Sequence, residues 1–181
     1  MNLFVTVGNR TEPFDRLLRT VDEVFGTHPT TGTCQYGTSN VQPRGLEPHA
    51  FLSREDFLLR IQAADLVVAH AGVGTLAAAI EGGHLPLVMA RRAPEECVND
   101  HQQEIVRALE GRGLVRPIEG PRDLAAALGE ASAGRYPRIA VQGRRSLGDL
   151  RSSIHGGQSK PWHPLGTSLL RALGRLAGSN Q

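Results

Sequence analysis

The sequence predicts an α/β fold, a parallel sheet with helices on both faces, and three observations predict it. Apolar runs of strand length at residues 3–7, 66–69 and 85–90 are continuous rather than alternating, as in strands covered on both sides. Segments with helical spacing lie between them, and strands that alternate with helices imply right-handed crossovers. Glycine turns follow the strands, at Gly8 and at Gly72 and Gly74. In such sheets ligands sit at the carboxyl ends of the strands.

Each element follows from local pattern. Residues 3–7 form the first strand, which ends at Gly8. Residues 14–25 form a helix with Phe14, Leu17, Leu18, Val21, Val24 and Phe25 on one side. Residues 33–36 form a short strand closed by Gly37. Ser53 and Asp56 have capping-box spacing, so a helix starts there and turns Phe57, Leu58 and Ile61 inward. A strand over 66–69 runs through the turn 70–74 into a helix over 75–81, which Gly82 and Gly83 end. Residues 85–90 form the next strand. Asp100 caps a helix that runs to Glu110, and Gly111 and Gly113 release it into a short strand over 114–118. Pro121 suits a helix start, with Leu124, Ala125 and Leu128 inward.

The domain therefore spans residues 1–133. Residues 134–181 form a basic tail rich in Gly, Ser and Pro, in which Leu165, Leu169, Leu170, Leu173 and Leu176 mark a short amphipathic helix interrupted by Arg171 and Arg175. Such a segment lies on an anionic membrane, docks on a partner, or is an extension without a role; the pattern leaves all three open.

Composition narrows the function classes. The net charge of +2 divides unevenly: residues 1–134 hold 12 Arg against 17 Asp or Glu, giving −5, and residues 135–181 carry +7. An acidic body argues against nucleic acid, whose binding needs a basic face. Aromatic residues are 4%, so Leu, Val, Ile and Ala must build the core. No run approaches the ~18 apolar residues of a membrane span, and the first residues lack the flanks of a signal peptide. Cys34 and Cys97 are far apart and read as two free thiols of a reducing cytoplasm. Metal binding finds no support, because Asp-x-Asp, His-x-x-x-His and cysteine clusters are all missing. A serine hydrolase is disfavoured, since no Gly-x-Ser-x-Gly elbow occurs.

Residues 65–75 are the most informative stretch. Gly72 and Gly74 permit a tight turn and close backbone approach to a ligand. The helix that follows turns its unsatisfied N–H groups and positive dipole end toward the same point, which suits a phosphate. A plain strand-to-helix turn needs glycine too, so the turn alone leaves both readings open. His70 either caps the strand end or meets a ligand, and His101 is either idle at a helix start or part of a site. Arg91 and Arg92 are either solvated or give charge-assisted hydrogen bonds to a diphosphate. Convergence favours a site: Gly8 and Asn9, residues 70–75 and residues 91–101 all follow strands and so line one edge of the sheet.

Three pieces carry a resemblance to a known family: residues 4–8 with 14–17 after them, residues 64–75, and Asn99, Asp100, His101 and Gln102. Gln35, Tyr36, Gly37 and Thr38 match a further strand-and-turn element. In this order and spacing the chain resembles bacterial exopolysaccharide glycosyltransferase subunits whose fold matches the C-terminal domain of glycosyltransferase family 28. It is also similar to the catalytic subunit of the two-part dolichol-linked N-acetylglucosaminyltransferase. The resemblance covers about residues 1–130 and excludes the tail.

The resemblance implies a Rossmann-like domain forming half of a GT-B fold, with a uridine diphosphate sugar as donor substrate, no cofactor and no metal. Gly8 and Asn9 would approach the diphosphate from the first strand. His70, Gly72, Val73, Gly74 and Thr75 would form the main diphosphate loop, with Arg91 beside it. Asp100, His101, Gln102 and Gln103 would meet the sugar hydroxyls. Gly72→Val would then place a branched side chain where the phosphate lies, with the fold kept. Two positions depart from the pattern: Ala78 stands where relatives often carry a ribose-binding glutamate, with Glu81 one turn later, and Asn9 replaces a small hydroxyl residue.

The expected activity is that of the donor-binding catalytic subunit of an inverting, metal-independent glycosyltransferase. The expected partner is a membrane-anchored, acceptor-binding glycosyltransferase subunit, and the acceptor a lipid-linked sugar or a polysaccharide. No general base is evident among residues 1–130, so the base is expected on the partner. The chain is expected in the cytoplasm, peripheral to the inner face of the membrane. The alternative is a non-catalytic nucleotide-sugar-binding or regulatory module, which Ala78 favours.

Overall fold

The computed structural model describes residues 1–26, 31–97 and 101–140. The elements in chain order are β1 (Asn2–Thr6), α1 (Asp15–Phe25), β2 (Thr31–Gln35), β3 (Glu47–His49), α2 (Arg54–Ala63), β4 (Leu66–His70), α3 (Val73–Glu81), β5 (Leu87–Met89), α4 (His101–Glu110), β6 (Arg116–Pro117) and α5 (Pro121–Ser132). Asp100 and the expected amphipathic segment of the tail lie outside the described residues.

The strands form one parallel sheet in the order β3-β2-β1-β4-β5-β6. Chain order reverses beside β1, which lies between β2 and β4, and a crevice opens at such a switch point. Side chains alternate across the strands and bury both faces. Leu3 and Val5 of β1 and Val68 of β4 meet Leu17, Leu18 and Val21 of α1 and Leu124 of α5. Phe4, Val67 and Ala69 meet Ile61 of α2 and Ala78 and Ala79 of α3. Val88 of β5 joins Leu76 of α3 to Val106 and Leu109 of α4. This is the α/β, Rossmann-like fold that the sequence predicts.

The local signals act as their chemistry requires. All six apolar residues of the predicted 14–25 stripe are buried, although Phe14 caps α1 rather than belonging to it. Ser53 Oγ accepts from the Asp56 N–H at 3.1 Å and donates to the Asp56 carboxylate at 2.7 Å, fixing the start of α2. Helix α3 begins at Val73, two residues before its predicted start, with Gly72 as its cap. In α5 the inward residues are Leu124, Ala127 and Leu128, while Ala125 is exposed. An alanine-rich turn gives little pattern to separate those two positions.

Strand β3 was not foreseen. Glu47, Pro48 and His49 show no apolar alternation, and proline suits only an edge strand. Backbone pairing with β2 and an ion pair from Glu47 to Arg60 (3.1 Å) hold it. Packing also continues past α5. The Tyr136 hydroxyl donates to Leu85 O (3.0 Å), Arg138 donates to Ala64 O (3.1 Å), and Ile139 N–H to Gly83 O (3.0 Å). No helix among the described residues is long and apolar enough to cross a membrane.

Candidate functional site

A cleft of about 570 Å³ opens at the carboxyl edge of the sheet, over the ends of β1, β2 and β4. Gly8 and Asn9 after β1, His70 at the end of β4, and Gly72, Val73, Gly74 and Thr75 at the start of α3 line one side. These are seven of the twelve residues that the sequence predicts for donor binding. Leu52, Arg54, Phe57 and Leu58, from α2 and the residues before it, line the other, with Ala77 and Ala78 of α3.

The opening turn of α3 faces this space. Its first helical bond runs from the Leu76 N–H to Gly72 O at 2.9 Å, and Gly72 has no side chain to cap the turn. The N–H groups of Val73, Gly74 and Thr75 are therefore left at the cleft, with the positive end of the helix dipole. An anion there gains three donors without displacing an internal partner. Thr75 adds a hydroxyl at the same place.

His70 is the floor of this turn. Its ring is wedged between Gly8 and Gly72, so that a Cβ built on either glycine would overlap the imidazole. Gly8 is required twice over, because its φ of +79° also lies in the left-handed region. Burial leaves His70 only 5% exposed and is the main cause that pushes its pKa down to about 4; the positive charge of Arg91 is the second. The Thr6 backbone opposes this in part, yet Nδ1 makes no hydrogen bond of good geometry among the described residues. A neutral imidazole offers a ligand hydrogen bonding, not charge.

Gln35 belongs to the site although the sequence pattern marks only its strand-and-turn element and gives the side chain no role. Buried at the end of β2, it donates from Nε2 to Gly8 O (3.1 Å) and to Asn9 Oδ1 (2.7 Å). It thus sets the loop and the Asn9 amide together. Leu52, Phe57 and Leu58 were also missed as lining residues. A helical apolar stripe looks the same in sequence whether it faces a core or an open cleft.

Arg91 requires a correction. Rather than lying beside a bound diphosphate, its guanidinium is fully buried and donates to the carbonyls of Val7 (3.1 Å), Glu12 (2.9 Å), Pro13 (3.1 Å) and Glu96 (3.0 Å). Arg92 pairs with Glu119 at 3.0 Å on the surface. Gln102 and Gln103 sit in the first turn of α4 and do not line the cleft; Gln102 Oε1 accepts from the Arg91 N–H at 3.1 Å. Asp100 and the side chain of His101 lie outside the described residues. Among the described residues, no group of three His, Cys, Asp or Glu is placed to hold a metal ion. Cys34 and Cys97 are buried and form no disulfide among the described residues, and burial pushes the Cys34 thiol up to about 12.

Fold and cleft together define a Rossmann-like domain with an uncapped helix turn open to the cleft at its switch point. The chain belongs to the glycosyltransferase family 28 C-terminal domain, whose profile matches residues 2–136. No curated protein matches at the level of sequence. Among solved structures, it is similar to the glycotransferase of kitacinnamycin, with 18% identity and a TM-score of 0.56 over 98% of this chain and 40% of that one. CalG4, the calicheamicin glycosyltransferase, gives 19% identity and a TM-score of 0.51 over 97% of this chain and 44% of that one. SnogD from Streptomyces nogalater, also a glycosyltransferase, gives 16% and 0.52, over 98% and 43%. At such identities the likeness concerns the fold. The chain spans less than half the length of each, consistent with one half of a GT-B arrangement.

Proposed function

We propose that this chain is the donor-binding catalytic subunit of an inverting, metal-independent glycosyltransferase that uses a uridine diphosphate sugar. The observation that carries the reading is the uncapped first turn of α3, open to a cleft at the switch point of a family 28 domain. In this reading the N–H groups of residues 73–75 and the helix dipole bind the diphosphate and stabilise it as it departs. Gly8 and Gly74 allow the backbone to come close. The apolar wall of Leu52, Phe57 and Leu58 flanks the base.

Among the described residues the cleft lining contains no carboxylate and its one histidine is buried, so none of them is a candidate base for the acceptor hydroxyl. We assign that base to a membrane-anchored, acceptor-binding subunit, and the acceptor to a lipid-linked sugar or a polysaccharide. Calorimetric titration with uridine diphosphate tests the shared premise, and is expected to give saturable binding. Transfer to a lipid acceptor is expected only after the partner is added. Rates near those of the complex from this chain alone would refute the division of labour.

Ala78 favours a second reading, a nucleotide-sugar-binding module without catalysis, because it gives the cleft wall a methyl group and no acceptor for ribose hydroxyls. Binding without turnover in the complex would select it.

Gln102, which lies outside the cleft lining, is assigned to a sugar that would extend beyond the cleft toward the first turn of α4. Its Oε1 is held by the Arg91 N–H, which leaves the amide NH2 to donate to a hydroxyl. Gln102→Ala is expected to weaken the whole donor about tenfold while leaving free uridine diphosphate within about twofold, where tenfold is ~1.4 kcal/mol. Equal losses for both ligands would remove Gln102 from the sugar subsite.

A further inference from the structure

We propose that Arg91 strengthens anion binding in the cleft without touching the ligand, as a buried positive charge lodged under the β1–α1 loop. The proposal rests on the reading of the cleft as a nucleoside diphosphate site.

The hydrogen bonds of the Arg91 side chain all go to neutral carbonyls, and its guanidinium lies 4.6 Å from the Phe14 ring centroid. The two nearby carboxylates are engaged elsewhere. Glu12 is held by Arg10 at 3.1 and 2.9 Å, and Glu96 by Arg16 at 3.0 and 2.8 Å. Three guanidinium groups therefore face two carboxylates, and the excess charge is positive within an otherwise acidic body.

Its position places that charge under the glycine turns. Arg91 follows Met89, the register partner of His70, by two residues. Its Nη2 binds Val7 O, and Val7 leads into Gly8, which packs on the His70 ring and lines the cleft. His70 feels the charge, since Arg91 is the second cause, after burial, of its low pKa. Carbonyl dipoles solvate the cation only in part, and a charge in a low-dielectric interior is screened little by salt. A diphosphate in the cleft would complete its neutralisation across the β1–α1 loop. Arg91 is thus a positioning residue that acts through the loop and through its field.

The test compares Arg91→Met, which removes the charge, with Arg91→Lys, which keeps it with fewer bonds. Phe14→Leu loosens the same packing without changing charge. Uridine diphosphate affinity is read by calorimetry, and the His70 imidazole midpoint by NMR titration. Arg91→Met is expected to lose about tenfold in affinity and to raise the His70 midpoint toward the ordinary ~6.5, while Arg91→Lys stays within about threefold of the parent. Phe14→Leu is expected to lower stability and leave the midpoint in place. A lysine variant as damaged as the methionine one, or a folded Arg91→Met with affinity and midpoint unchanged, would overturn the proposal.

Should Arg91→Met fail to fold, the parent chain decides: its affinity is expected to fall less than about threefold between 0.05 and 0.5 M salt. A steep fall would assign the favourable charge to exposed arginines such as Arg10 or Arg54 and reject Arg91. If the parent chain binds no nucleoside diphosphate, the functional reading falls and takes this proposal with it. Binding that is indifferent to Arg91 overturns this proposal alone.

Discussion

Gly72→Val is expected to lose stability as well as ligand binding, whereas Gly74→Val is expected to lose binding alone. A Cβ at Gly72 overlaps Nε2 of the buried His70 ring, and a branched side chain there must push the ring or the turn aside. Overpacking of this kind costs about 1–3 kcal/mol, which lowers the melting temperature by roughly 2–4 °C per kcal/mol in a chain of this size. The sequence-based expectation that the fold survives Gly72→Val is corrected by this contact. Gly74 differs: a Cβ there meets nothing within 4 Å, its φ is not positive, and it lines the cleft at the open turn of α3. Gly74→Val should therefore melt within a few degrees of the parent yet bind uridine diphosphate at least tenfold more weakly, a loss of ~1.4 kcal/mol or more. Thermal melts and calorimetry on both variants check this. Parental affinity in Gly74→Val would move the diphosphate away from α3, and a parental melt in Gly72→Val would mean that the His70 ring yields freely.

Much of the site was legible because it is local. The buried strand over residues 66–69, the two glycines and the helix after them lie within sixteen residues, and period and turn chemistry read such a unit directly. The stripe of α1 was equally plain, since six apolar residues at helical spacing leave one face to bury. Gly8 and Asn9 joined the site through topology as well as resemblance: a parallel sheet brings the end of β1 beside the end of β4.

What escaped depends on contacts distant in sequence. An arginine just after a strand looks like a surface cation, yet Arg91 is buried by carbonyls 78 to 84 residues away. The cleft-facing role of Phe57 and Leu58 follows from the gap between α2 and α3, which no periodicity encodes. Strand β3 is only three residues long and is recruited by the exposed edge of β2, so backbone geometry decides it rather than its side chains. Gln35 was visible within its motif, but its service to Asn9 appears only when β1 and β2 lie side by side.

Lowering the pH from 7.5 to 5 is expected to remove about 2 kcal/mol of stability through His70 alone. The folded chain holds this imidazole at about 4, well below its ordinary 6.5, because the ring is buried and Arg91 lies near. Below pH 6.5 the unfolded chain takes up a proton that the folded chain refuses until about pH 4. The stabilisation from keeping His70 neutral is therefore fully present above about pH 6.5 and is lost progressively toward pH 4. The complete loss, reached below pH 4, approaches about 3.5 kcal/mol at ~1.4 kcal/mol per pH unit. Urea unfolding at the two pH values, on the parent and on His70→Gln, isolates the contribution from other titrating groups. The parent should show the steeper decline by about 2 kcal/mol, and equal declines would mean that His70 titrates normally in the folded chain. Function follows the same proton. Because the imidazole is neutral throughout the range from pH 6 to 8, affinity for a uridine diphosphate sugar should be flat there. A rise in affinity as the pH falls through 6.5 would instead make His70 a cationic ligand of the diphosphate.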